Sequence, residues 1–170
     1  KIADVFIQNL KVIPDERGSV LHMLRSDSSL YKNFGEIYFS EINPKTIKAW
    51  KLHKNLTQNI AVIMGKVRLV VYDNRPSSKT LGEVVEYEIG RHNNYCLIQI
   101  PPMLWYGFQS LDNQKALIAN CTDQPHDPLE SQSIPIDSDK IPFQWRSKNE
   151  CDRTPEKYTD ATSLFCHIRS

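Results

Sequence analysis

The sequence predicts an all-β domain, a barrel or a sandwich, on three observations. Short apolar runs, several of them alternating with polar residues, recur about every 8–12 residues. Turn-forming residues punctuate them, among them Gly65-Lys66, Asn93-Asn94 and Pro101-Pro102. Helix-like periodicity is confined to two short stretches.

Residues 1–45 read as N-terminal strands and a loop. Ser26 to Phe34 could hold a short peripheral helix capped by Asp27. Residues 46–122 read as the barrel core. Ile60 to Met64 is an apolar strand, and Val67 to Tyr72 follows at once, so a tight strand–turn–strand unit is expected around Gly65. From Gly82 to Ile89, Val84, Val85, Tyr87 and Ile89 stand among Glu83, Glu86 and Glu88. Tyr95 to Ile100 is the next strand, closed by Pro101-Pro102 because proline cannot donate to a ladder. Gly107-Phe108-Gln109 leads into a polar loop from Ser110 to Gln114, and Ala116 to Cys121 is the strand beyond it. Residues 123–170 close the domain: Asp123 to Asp139 reads as a long ordered loop, and Asp160 to Ile168 as a second short helix.

A chain of 170 residues suits a single domain with a sizeable core. Its net charge of +1 gives no field that would favour nucleic acid or a membrane surface. No apolar run approaches the roughly 20 residues of a membrane helix, and Lys1 to Leu10 lacks the features of a signal peptide. Cys96, Cys121, Cys151 and Cys166 form no C-x-x-C pair, so a zinc ribbon or redox motif is not expected and a reduced cytoplasmic setting fits.

Lys51 and His53 stand two apart, Gln58 lies five residues on, and Gly65 seven beyond that. This resembles the first motif of the cupins, in which two histidines and a glutamate hold a metal in a jelly-roll β-barrel. A strand period of two would aim both side chains into one lumen. The second cupin motif corresponds to Pro101, Met103 and Tyr106, followed by Gly107-Phe108. A protonated lysine repels a cation, and neither the glutamine amide nor the tyrosine hydroxyl is a good ligand at neutral pH. A lumen without metal or other cofactor is therefore expected.

A closer resemblance is to the dTDP-4-dehydrorhamnose 3,5-epimerase family, a metal-free cupin branch. Asp15-Glu16-Arg17-Gly18 is similar to its D-x-R-G signature, and Ile47 to Lys51 to its L-R-G-L-H strand. Asp73 to Ser78 with Thr80 and Gly82 resembles its D-x-R-x-x-S-x-T-x-G stretch. Ile100-Pro101 with Gly107-Phe108 resembles its I-P-x-G-x-x-H-G-F turn, and Ile141 to Trp145 its closing I-x-I-x-W. The resemblance implies an epimerase or isomerase acting on a nucleotide-linked 4-keto-6-deoxy sugar in surface-polysaccharide synthesis. It also implies a homodimer that pairs or exchanges N-terminal strands, such as Val5 to Val12. It places the family's catalytic histidine at Lys51, its catalytic tyrosine near Ala119, its lumen histidine at Tyr106, and its histidine-orienting aspartate among Asp137, Ser138 and Asp139.

Epimerisation beside a ketone needs a base, an acid and a group that stabilises the enolate oxygen. His53 is the natural base, Tyr106 a candidate acid, and Lys51 an enolate-stabilising cation or an alternative base. Arg17, Gln58, Arg75 and Lys48 are candidates for binding the substrate, arginine being suited to a diphosphate. Three of these have a structural alternative. His53 could be a hydrogen-bonded core residue, Tyr106 a core aromatic, and Arg75 a partner of Asp73 or Glu83. Trp50, in opposite strand phase to Lys51, is expected in core or dimer packing. Two rival readings of the whole chain are a non-catalytic sugar- or nucleotide-binding module and a metal-dependent cupin; the poor ligand set argues against the latter.

Overall fold

The computed structural model describes residues 1–145. Twelve strands run in chain order: β1 (Phe6–Asn9), β2 (Val12–Asp15), β3 (Gly18–Leu21), β4 (Glu36–Ile42), β5 (Ile47–His53), β6 (Gln58–Met64), β7 (Lys66–Tyr72), β8 (Val84–Gly90), β9 (Cys96–Ile100), β10 (Trp105–Ser110), β11 (Ala116–Thr122) and β12 (Ser131–Ser133). One five-stranded sheet has the order β1-β9-β6-β11-β4 and the other β12-β5-β10-β7-β8, with every pairing antiparallel. A separate β2–β3 hairpin carries the Asp15–Gly18 turn.

The core lies between the two sheets, as the alternating pattern requires. Ile60, Val62, Ile98, Ile100 and Ile118 from the first sheet meet Leu69, Val71, Ile89, Tyr106 and Phe108 from the second. Burying each large aliphatic side chain contributes about 1.5–3 kcal/mol. A second cluster covers the outer face of β5 and β10, where Trp50, Leu52, Val70 and Trp105 pack under Ile141, Phe143 and Trp145. Trp50 thus packs on the face opposite Lys51.

Four expectations are corrected. The Gly65 turn joins β6 to β7, but the two strands lie in different sheets and do not pair. Gly65, at φ +74°, carries the chain across the barrel instead of closing a hairpin. Ser26 to Phe34 forms turns, and there is no helix among the described residues. Its backbone is drawn over the first sheet instead: the Gln99 amide donates to Leu30 O and Lys32 Nζ to Thr57 Oγ1. Ser110 belongs to β10 rather than to the loop after it, and part of the Asp123–Asp139 loop is the edge strand β12. The expected helix at Asp160 to Ile168 lies outside the described residues.

Candidate active site

β5 alternates faces, so Lys51 and His53 share the inner side while Trp50 and Leu52 share the outer one. β10 pairs with β5 with Tyr106 opposite Lys51 and Trp105 opposite Leu52, and the register shifts between Tyr106 and Phe108. That shift falls at Gly107, where an added Cβ would lie 2.5 Å from the Ala49 Cβ. Glycine therefore lets β10 approach β5 closely enough to deliver the Tyr106 ring beside His53.

The two rings are nearly parallel, with centroids 6.0 Å apart. His53 Nε2 is 3.2 Å from the Tyr106 hydroxyl, and His53 Nδ1 is 2.6 Å from Glu130 Oε2. Glu130 is brought there by β12, whose Ser131 pairs with His53. Its other oxygen, Oε1, accepts the backbone N–H groups of Asn55 and Leu56.

These contacts fix the charges. Burial would raise the Glu130 carboxyl, but the N–H groups of Asn55, His53 and Leu56 outweigh it and hold the group below its ordinary value. Burial lowers His53 below the usual imidazole value despite Glu130. At neutral pH Glu130 is a carboxylate and His53 a neutral imidazole. Nδ1–H donates to Glu130, and Nε2 accepts the Tyr106 O–H. Burial also raises Tyr106 well above the usual phenol value.

The chain of contacts continues across the lumen. The Gln58 side chain hydrogen-bonds Tyr106, and Gln58 Oε1 accepts from Asn120 Nδ2 at 2.9 Å. Asn120 Nδ2 also donates to the Tyr38 hydroxyl at 2.7 Å. Between these groups lies a cavity of about 340 Å³, lined by Tyr38, Lys51, Ile60, Tyr106, Phe108 and Asn120 among others. A cavity of that size, apolar with a few convergent polar groups, suits a small ligand.

Of the seven residues singled out in the sequence, Lys51, Tyr106 and Lys48 line this cavity, and Gln58 and His53 stand behind it. Lys48 is exposed at its rim, its Nζ donating to Glu41 O. The structure does not bring the two arginines there. Arg17 pairs with Asp15 at the tip of the β2–β3 hairpin, with its side chain 89 % exposed. Arg75 grips Asp73 through Nε and Nη2 and reaches Asp4 and the carbonyl of Ala3. It ties the N-terminal segment to the β7–β8 loop, so its structural alternative is the one the geometry favours.

The carboxylate beside the histidine is Glu130, not Asp137 or Asp139, which line a different surface cleft with Ser138 and Trp145. Tyr38 and Asn120 were also not legible, because each sits in a strand whose inward phase only the fold reveals. Among the described residues, no group of three or more His, Cys, Asp or Glu side chains could hold a metal ion.

A jelly-roll barrel whose lumen joins an imidazole–carboxylate pair to phenols, amides and a lysine is the architecture of a cupin. The comparisons agree. The model of the dTDP-4-dehydrorhamnose 3,5-epimerase family matches residues 1–162. A dTDP sugar isomerase structure from Desulfovibrio desulfuricans G20 superimposes with a TM-score of 0.83 at 47 % identity, over 85 % of this chain and 92 % of that one. The probable low-salt glycan biosynthesis epimerase Agl13 of Haloferax volcanii is 31 % identical over 86 % of this chain and 96 % of its own. The spore coat polysaccharide biosynthesis protein SpsL of Bacillus subtilis is 30 % identical over 86 % and 98 %. The chain belongs to the dTDP-4-dehydrorhamnose 3,5-epimerase family. Its activity class is carbohydrate epimerisation.

Proposed function

We propose that the protein inverts a carbon next to the ketone of a nucleotide-linked 4-keto-6-deoxy sugar, in the synthesis of a surface polysaccharide. The observation that carries this is the Tyr106–His53–Glu130 series at the cavity wall. Tyr106, not His53, lines the cavity. As Tyr106 receives the carbon-bound proton, its own proton passes to His53 Nε2, so no free phenolate forms. The resulting imidazolium is stabilised by Glu130 at 2.6 Å. Lys51 faces the same cavity, and its ammonium stabilises the enolate oxygen. The names of the relatives, an epimerase of glycan synthesis and a protein of spore-coat polysaccharide synthesis, support the substrate class.

The test is incubation with dTDP-, UDP- and GDP-linked 4-keto-6-deoxyhexoses in deuterated water. Deuterium bound to carbon in an epimeric product is expected, and its absence with all three overturns the reading. A non-catalytic binding module is the second reading, favoured by the absence of a tyrosine near Ala119, where the resemblance places the family's catalytic one. Binding without turnover, unchanged in Lys51→Met, would establish it.

We also place the protein in the cytoplasm as a homodimer. Free, buried Cys96 and Cys121 fit a reducing compartment. No helix of the described residues is long and apolar enough to cross a membrane. Phe6 and Ile7 of β1 and Val12, Ile13 and Val20 of the hairpin are exposed, which supports pairing through this end. Within one chain β1 already pairs with β9, so the contact would add to that ladder rather than replace it. A monomer in sedimentation equilibrium at micromolar concentration would overturn the dimer.

A further inference from the structure

We propose that Tyr38 is a second proton-transferring residue of this site, serving the face of the sugar opposite Tyr106. The assignment rests on the epimerase reading above. Tyr38 is carried by β4 in one sheet and Tyr106 by β10 in the other, and both line the same cavity. The two phenols therefore belong to facing walls. A ring held between them presents one face to each, which is the arrangement inversion at carbon requires.

The surroundings of Tyr38 suit a donor. Its oxygen accepts the Asn120 N–H at 2.7 Å. That bond leaves the phenol proton uncommitted, and no acceptor for it is present among the described residues. Burial raises Tyr38 above the usual phenol value despite the Asn120 contact, so the group enters the reaction protonated. Asn120 in turn is held by Gln58 Oε1, and its own Oδ1 is buried without a partner. A substrate hydroxyl fits that acceptor, which would seat the sugar against Tyr38.

Register explains why the phenol comes from this strand. Ala119 has no hydroxyl. Its neighbour across the ladder is Phe39, which turns outward and is exposed, whereas Asn120 pairs with Tyr38 on the inner side. Strand alternation thus supplies from β4 the group that β11 lacks.

The carbon–hydrogen bond breaks, its electron pair forms the enolate, and the proton passes through Tyr106 to His53. The enolate carbon then takes the Tyr38 proton from the other face, and the ketone is restored. Tyr38 is left as a phenolate hydrogen-bonded by Asn120. Solvent returns a proton to it as His53 releases one.

The experiment compares wild type with Tyr38→Phe and Tyr106→Phe on dTDP-, UDP- and GDP-linked 4-keto-6-deoxyhexoses in deuterated water. It reads deuterium in recovered substrate and in epimer separately, with Tm and nucleotide diphosphate affinity alongside. Tyr38→Phe is expected to keep exchange into recovered substrate within a few-fold and to lose epimer about 100-fold. Tyr106→Phe is expected to lose both. Epimer within about threefold of wild type in Tyr38→Phe overturns the assignment. Joint loss of exchange, epimer and nucleotide binding in that variant also overturns it, showing a structural role. Failure of wild type with all three sugars overturns the epimerase reading, and the Tyr38 role with it.

Discussion

His53 and Glu130 are 77 residues apart in the chain, yet Nδ1 and Oε2 are 2.6 Å apart in a site where the side chains are 5 % and 6 % exposed. The pair is held by β12, and it has consequences for rate. Glu130→Gln keeps an oxygen for the Asn55 and Leu56 N–H groups but removes the charge beside the imidazolium. A fall in kcat of about 100-fold, with KM within a few-fold, is expected from steady-state kinetics. An unchanged kcat would show that the carboxylate only packs.

The same pair sets an acid limit on stability. His53 has a folded value below its unfolded one, because burial disfavours the cation. The unfolded chain therefore binds the extra proton more readily, and stability falls as pH drops below about 6.5. Glu130, also depressed in the fold, adds a further loss as pH falls below about 4.5 towards its folded value. Tm measured from pH 8 to pH 4 should decline in this order. In His53→Gln the first decline should be absent.

Asp73 is fully buried and accepts from Arg75, Ser78 and Thr80. Those contacts hold its carboxyl far below the carboxylate range against the cost of burial. Asp73→Ala leaves the Arg75 guanidinium without its main partner. A loss of about 3 kcal/mol in denaturant unfolding is expected. No residue of this loop lines the cavity, so kcat should stay within about twofold. A larger loss of kcat would mean that Arg75 does reach the substrate.

Gly107→Ala should lower both stability and rate. The new Cβ would meet Ala49 at 2.5 Å and the Trp145 ring at 2.8 Å. Relief requires β10 to move away from β5, which carries Tyr106 away from His53. A cost of about 1–3 kcal/mol is expected. The fall in kcat should follow the loss of the Tyr106–His53 contact, read as a changed pH–rate profile.

Much of the fold was legible in the chain because strand phase and turn residues act locally. The alternation in Val67 to Tyr72 and Gly82 to Ile89, and the stop at Pro101-Pro102, describe β7, β8 and β9 closely. Pairing was not legible where it depends on the far side of the barrel. Gly65 looks like a hairpin turn by sequence, and only the separate partners of β6 and β7 show it to be a crossing. The site divides in the same way. Lys51 and His53 follow from a period of two on one strand. Glu130, Tyr38 and Asn120 join them through β12, β4 and β11, whose registers no local pattern encodes.

All three tryptophans of the chain, Trp50, Trp105 and Trp145, belong to the cluster on the outer face of β5 and β10. The inner faces of those two strands carry Lys51, His53 and Tyr106. The protein's intrinsic fluorescence therefore originates directly behind the reaction site. Trp50 and Trp145 are close enough, at 4.9 Å between ring centroids, for their emission to respond to small shifts of the sheet. A ligand entering the lumen can be followed optically without a label, and loss of the covering segment at Ile141 to Trp145 would register as a red shift before the barrel itself unfolds.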